Sequence, residues 1–88
     1  MYNNINTFII DVRDEIEHLS SNDYIINNTI NIPLNILPNI ITKFGLPKDM
    51  DIIVFCESGH RSKIAKIILT DMGYNNVIDI GSYKNIIM

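Results

Sequence analysis

Residues 52–69 read IIVFCESGHRSKIAKIIL and decide the fold of this chain. The apolar run before Cys56 is rich in β-branched residues and predicts a buried strand, and the apolar residues from Ile64 onward predict a helix. A short polar loop separates them, so the segment reads strand, loop, helix. The only cysteine of the chain stands at the carboxyl end of the strand. In α/β proteins that edge of the sheet is where ligands bind.

Further strands and helices are predicted on both sides of this unit. Those before it are a strand over 7–12, a helix from Asp14 to about Leu19, a loop over 20–23, a mostly extended segment over 24–32, and a helix that begins near Pro38 and ends at Gly45. In and after the unit, the sequence predicts a strand over 51–56, a helix over 62–72 that ends at Gly73, and a strand over 76–80.

The alternation of strands and helices predicts an α/β fold, with a small parallel β-sheet and helices on both faces, doubly wound. A chain of 88 residues without an internal repeat or linker predicts one domain, residues 1–88. The helix over 62–72 is expected to turn one apolar face toward the sheet. That face would consist of Ile64, Ile67, Ile68 and Met72.

Composition excludes several classes of function. The net charge is −3 and no cluster of basic residues is present, which argues against a nucleic-acid partner. The apolar runs are much shorter than the ~20 residues that a membrane span requires. We expect no nucleic-acid partner and no membrane association, and we expect the protein to be a monomer.

The single cysteine bears on redox chemistry and location. It excludes an internal disulfide and a zinc site built from several cysteines. A free thiol fits a reducing compartment, which predicts the cytoplasm. The amino-terminal residues have no basic region or cleavage site of a secretory signal. A periplasmic location would require that such a signal had already been removed.

The polar loop after Cys56 has the features of an anion site. Backbone N–H groups at a loop and at a helix start can face a negative charge, and Arg61 adds a cation, so the thiol is expected to ionise easily. Gly59 permits a left-handed turn, Ser62 suits the N-cap of the helix, and the hydroxyls of Ser58 and Ser62 are candidate donors. The alternative is an inert cysteine buried at the end of a core strand.

Other polar residues receive less specific predictions. His60 is expected to be exposed rather than to act as a base, and Glu57 is expected to point to solvent because an inward carboxylate would raise the pKa of the thiol. His18 is expected to be solvated. Asp11 and Arg13 are expected to form a buried ion pair that ties loops together.

Four motifs, in order along the chain, resemble the rhodanese domain family, and most closely its small single-domain sulfurtransferases of the phage-shock-protein-E type. They are IDVR at 10–13 with Glu17 after it, INIPL at 30–34, CESGHRS at 56–62, and MGYNNV at 72–77 followed by Gly81. The family usually has His-Ile-Pro-Gly-Ala before the second motif, and here residues 25–29 read IINNT.

The resemblance implies a sulfur relay that requires no metal and no organic cofactor. Cys56 would be the catalytic nucleophile, which takes the outer sulfur of a donor such as thiosulfate and passes it as a persulfide to cyanide or a thiol. Donor binding would involve the loop backbone at Glu57, Ser58, Gly59, His60, Arg61 and Ser62, together with the Arg61 side chain. Asp11 and Arg13 would support the loops.

Two other functions remain open. A related phosphatase-type loop has five residues between its cysteine and arginine, whereas four lie between Cys56 and Arg61. The narrower loop suits a single sulfur atom, which makes a phosphatase or an arsenate reductase the weaker alternative. A binding module without activity usually lacks the cysteine, but the altered segment over 24–29 keeps that alternative open. Arg61 itself is expected to face the donor; otherwise it would tie the loop to Asp11.

Overall fold

The computed structural model describes residues 7–20 and 29–85. Its regular elements alternate along the chain as the sequence predicts. They are β1 (Thr7–Asp11), α1 (Glu15–Ser20), β2 (Thr29–Asn31), a 3-10 turn (Leu34–Ile36), α2 (Leu37–Phe44), β3 (Asp51–Cys56), α3 (His60–Asp71), β4 (Asn76–Ser82) and a second 3-10 turn (Tyr83–Asn85). The predictions for residues 21–28 lie outside the described residues.

The strands form one parallel sheet in the order β2-β1-β3-β4. Cys56 therefore ends a central strand, and the carboxyl ends of β1 and β4 lie on either side of it. The predicted strand over 51–56 is confirmed to the residue. The predicted fold class, a small α/β fold with a parallel sheet, is also confirmed.

The two faces of the sheet are covered unequally. On one face, α2 and α3 pack over the larger part of the core through Leu37, Ile41, Ala65 and Leu69, all fully buried. On the other face a smaller cluster comprises Ile9, Ile53 and Phe55, with Ile80 and Tyr83 against it. Side chains alternate along a strand, so Asp11 points to the same side as Ile9, and α1 reaches that side through His18.

The predicted inner face of α3 is partly wrong. Ile68 and Met72 pack against the core, but Ile64 and Ile67 are 48% and 56% exposed. The buried stripe is Ser62, Ala65 and Leu69 instead. The small side chains of Ser62 and Ala65 allow the first turns of α3 to approach β3 closely, and this rotates the two isoleucines outward.

Glycines end the helices as expected. Gly45 follows α2 in a left-handed conformation, with φ of 60°. After α3, the N–H of Gly73 donates to Thr70 and the N–H of Tyr74 donates to Leu69, which is the Schellman arrangement.

Among the described residues, no helix has the length and apolar character needed to cross a membrane.

Candidate active site

Cys56 is fully buried at the end of β3, beneath the start of α3. A register shift in the pairing of β3 with β4 brings Gly81 opposite Phe55 and Ser82 opposite Cys56. The N–H of Gly81 donates to the Asp79 carboxylate at 2.8 Å, which closes this irregularity. The carboxyl end of β4 therefore lies beside the thiol, and Gly81 O is 3.5 Å from Ser62 Oγ.

Hydrogen-bond donors surround the Cys56 sulfur. The N–H of Gly59 donates to Sγ at 2.9 Å and the N–H of Ser62 at 3.4 Å, while the Ser62 hydroxyl oxygen lies 3.5 Å from Sγ. Gly59 makes this ring of donors possible because its φ of 97° turns the chain sharply at the strand end. Negative charge on Sγ is therefore stabilised by backbone dipoles at the start of a twelve-residue helix.

These contacts lower the pKa of the Cys56 thiol below its ordinary value. Burial acts in the opposite direction and raises the pKa, because it disfavours the charged form. The hydrogen bonds from the Ser62 hydroxyl and from the amides of Ser62, Gly59 and Arg61 outweigh it. The site thus favours the thiolate, which is the nucleophilic form of cysteine.

We expect the rate of alkylation of Cys56 to titrate with a midpoint below the value of ~8.5 that is typical of a free cysteine. Ser62→Ala should raise that midpoint, because it removes the hydroxyl donor from the thiolate. Ser58→Ala is the matched control, since the Ser58 hydroxyl contacts His60 Nδ1 at 3.1 Å and not the sulfur. A wild-type midpoint at or above that of a free cysteine, or equal midpoints in the two variants, would contradict this explanation.

The structure corrects two details of the predicted loop. Ser62 is not the N-cap of α3; the helix begins two residues earlier than predicted, with Gly59 as its N-cap. Ser62 therefore lies in the first turn, where its side chain faces Cys56. The Ser58 hydroxyl, expected as a donor to the site, contacts His60 instead. Glu57 and His60 are exposed, as the sequence indicates.

Arg61 forms a bidentate ion pair with Glu17 of α1. Its Nη1 donates to Glu17 Oε1 at 2.7 Å and its Nη2 donates to Oε2 at 3.0 Å. If Arg61 ties the loop to the rest of the fold, its partner is thus Glu17 and not Asp11. Contact with a donor anion stays a prediction for Arg61. The hydrogen bonds from Arg61 lower the pKa of Glu17 to about 2.

Glu17 also stabilises the start of α1. Its Oε1 accepts a hydrogen bond from the N–H of Asp14 at 3.1 Å, which is one half of a capping box. One carboxylate therefore fixes the first turn of α1 and connects that turn to the loop after Cys56. The sequence contains the signal for the cap in the spacing from Asp14 to Glu17, but nothing local to it indicates Arg61.

Below the loop, Asp11 and Arg13 form the expected buried pair. Arg13 Nε and Nη2 donate to the two carboxylate oxygens at 2.8–3.1 Å, and the residues are 0% and 2% exposed. The Tyr83 ring covers the guanidinium at 4.7 Å. Burial acts to lower the pKa of Arg13, but the hydrogen bonds and charge of Asp11 raise it. Their role in supporting the site stays a prediction.

The prediction that His18 is solvated is wrong. Its Nδ1 lies 2.8 Å from Asp11 Oδ2, and the side chain is 22% exposed. The helical turn of α1 places His18 over the end of β1, where a carboxylate already lies. The sequence offers no local signal for this contact, because the segment from Asp11 to His18 includes both a loop and a helix start.

Comparison with known proteins identifies relatives over most of the chain. Thiosulfate sulfurtransferase PspE of Escherichia coli K12 is 36% identical over 63 residues, which cover 72% of this chain and 61% of PspE. A sulfurtransferase of Allochromatium vinosum is 29% identical over 72 residues, which cover 82% of this chain and 63% of that protein. The chain therefore spans about three fifths of the length of these curated relatives.

The fold has a counterpart among solved structures. A structure described as a rhodanese with anions from E. coli is 33% identical, with a TM-score of 0.78 and coverage of 93% of both chains. The sequence profile of the rhodanese-like domain matches residues 1–87. The agreement covers the strand, loop and helix around Cys56 as well as the elements on either side. The chain therefore belongs to the rhodanese-like domain family.

Proposed function

We propose that this protein is a sulfurtransferase that carries a sulfane sulfur on Cys56. The observation that carries the proposal is the position of Sγ, 2.9 Å from the N–H of Gly59 and 3.4 Å from that of Ser62 at the start of α3. A sulfur held this way is activated as a thiolate. The likeness to PspE, named as a thiosulfate sulfurtransferase, supports the same reaction.

The first step transfers sulfur from the donor to the enzyme. The Cys56 thiolate attacks the outer sulfur of a donor such as thiosulfate, and a bond forms between Sγ and that sulfur. The sulfur–sulfur bond of the donor breaks, and sulfite leaves with the electron pair. The terminal sulfur of the persulfide then carries the negative charge, which donors at the start of α3 stabilise.

The second step returns the enzyme to its starting state. A thiophilic acceptor such as cyanide attacks the outer sulfur of the persulfide and leaves as thiocyanate, and the electron pair of the broken bond returns to Sγ. A thiol acceptor would leave as a new persulfide in the same way. Since the resting state is a free thiolate, we infer a reducing compartment such as the cytoplasm. Both steps use the same cysteine, so a single copy of the site suffices for each turnover.

Loading of the enzyme tests the proposal directly. Incubation with thiosulfate should add the mass of one sulfur atom to the intact protein, and cyanide should remove it and release thiocyanate. Cys56 is the only cysteine, so the added mass reports on this site. An unchanged mass with the thiol still free to alkylate would favour a binding module. Hydrolysis of an aryl phosphate would favour the phosphatase alternative.

A further inference from the structure

The guanidinium of Arg61, which stands five residues after the reactive cysteine, is already engaged by a carboxylate. Both terminal nitrogens of Arg61 donate to Glu17, at 2.7 and 3.0 Å, and the two side chains are 33% and 31% exposed. A pair of this geometry cancels much of the charge that Arg61 would offer to an approaching anion. Glu17 Oε1 also accepts a hydrogen bond from the N–H of Asp14, so the position of this carboxylate is fixed by the start of α1.

A second carboxylate directly follows the reactive cysteine along the chain. Glu57 is exposed and directly follows Cys56. Consecutive Cα atoms are only ~3.8 Å apart, so this charge lies within about one Debye length of the sulfur. Arg61, Glu17 and Glu57 together carry a formal charge of −1. Lys63, the next cation along the chain after Arg61, is exposed like Glu57 and lies in the first turn of α3.

We propose that Glu17 and Glu57 direct the site toward sulfur donors that carry no more than one negative charge. Glu17 does so by neutralising Arg61, and Glu57 by adding negative charge where the donor enters. The electrostatic energy of repulsion is twice as large for a dianion such as thiosulfate as for a monoanion. This inference deepens the proposed function and rests on it, since it concerns which donor loads Cys56.

Two donors of the same chemistry and different charge test the inference. Thiosulfate is a dianion and releases sulfite, whereas benzenethiosulfonate is a monoanion and releases benzenesulfinate; in both, the thiolate takes the outer sulfur and the donor S–S bond breaks. With cyanide as the common acceptor, kcat/KM can be measured for each donor at low ionic strength. Selectivity is the ratio of the two values.

The isosteric variants Glu57→Gln and Glu17→Gln remove one charge each. Each should raise kcat/KM for thiosulfate about two- to fivefold, and for benzenethiosulfonate by only about the square root of that factor. The gain should shrink toward 1 M salt, where the Debye length is ~3 Å. Arg61→Gln should change the ratio in the opposite direction. Glutamine also retains the capping role of residue 17.

Asp51→Asn is the matched control, because it removes one exposed carboxylate from the far end of the same strand. It should leave the ratio unchanged. The inference would be overturned if Glu57→Gln changed kcat/KM by the same factor for both donors. It would also be overturned if Glu17→Gln lowered kcat/KM in parallel for both donors and lowered Tm. Either result would leave the proposed function intact. If neither donor loads wild-type Cys56, the proposed function fails, and the inference fails with it.

Discussion

Replacement of Cys56 by serine is expected to abolish sulfur transfer. A serine hydroxyl does not ionise near neutral pH and cannot form a persulfide, so the covalent intermediate is lost. The rate of thiocyanate formation from thiosulfate and cyanide should fall by at least about a thousandfold, as happens when other covalent enzymes lose their nucleophile. The intact mass should not change on incubation with thiosulfate.

The control for this variant is its stability. Serine and cysteine are similar in size, and the donors around Sγ also suit a hydroxyl, so the thermal unfolding transition should remain cooperative. A serine variant that is folded and still forms thiocyanate at the wild-type rate would show that Cys56 is not the nucleophile. A serine variant that still gains the mass of a sulfur atom would place the chemistry elsewhere.

Replacement of Asp11 by alanine is expected to destabilise the fold strongly. The change leaves the Arg13 guanidinium 2% exposed and without the carboxylate that accepts from both its Nε and its Nη2. Removal of one partner of a buried ion pair costs about 3–5 kcal/mol. Since small domains are stable by only about 5–15 kcal/mol, the midpoint of urea unfolding should fall by a large fraction.

A double variant separates the pair from the packing. Asp11→Ala combined with Arg13→Met removes both charges and keeps an apolar side chain beneath Tyr83. It should be more stable than Asp11→Ala alone, because no unpaired charge remains buried. His18→Ala provides a measure of the other contact to Asp11 and should cost much less. Equal stability of the single and double variants would show that the cost lies in packing rather than charge.

Much of the fold follows from local sequence. The strand over 51–56 contains an uninterrupted apolar run bounded by polar residues. Gly45 and Gly73 end helices because glycine adopts the left-handed conformation that follows a helix without strain. The residues on the inner face of α3 cannot be predicted from the local sequence in this way. Ile64 and Ile67 have the hydrophobicity expected of core residues, but the close approach of the helix to Cys56 requires small residues at the interface.

The sequence by itself determined the reactive group and its setting: the only cysteine, at the end of an apolar strand, before a glycine-containing loop and a helix start. Strand propensity, glycine conformation and helix capping act over a few residues, so their effects can be predicted from the local sequence. Only the tertiary structure decided which charged side chains pair with one another near that group. The pairing of Arg61 with Glu17 spans 44 residues, and the contact of His18 with Asp11 requires a particular orientation of α1. Such contacts depend on how the elements pack, because an ion pair forms wherever packing brings opposite charges together.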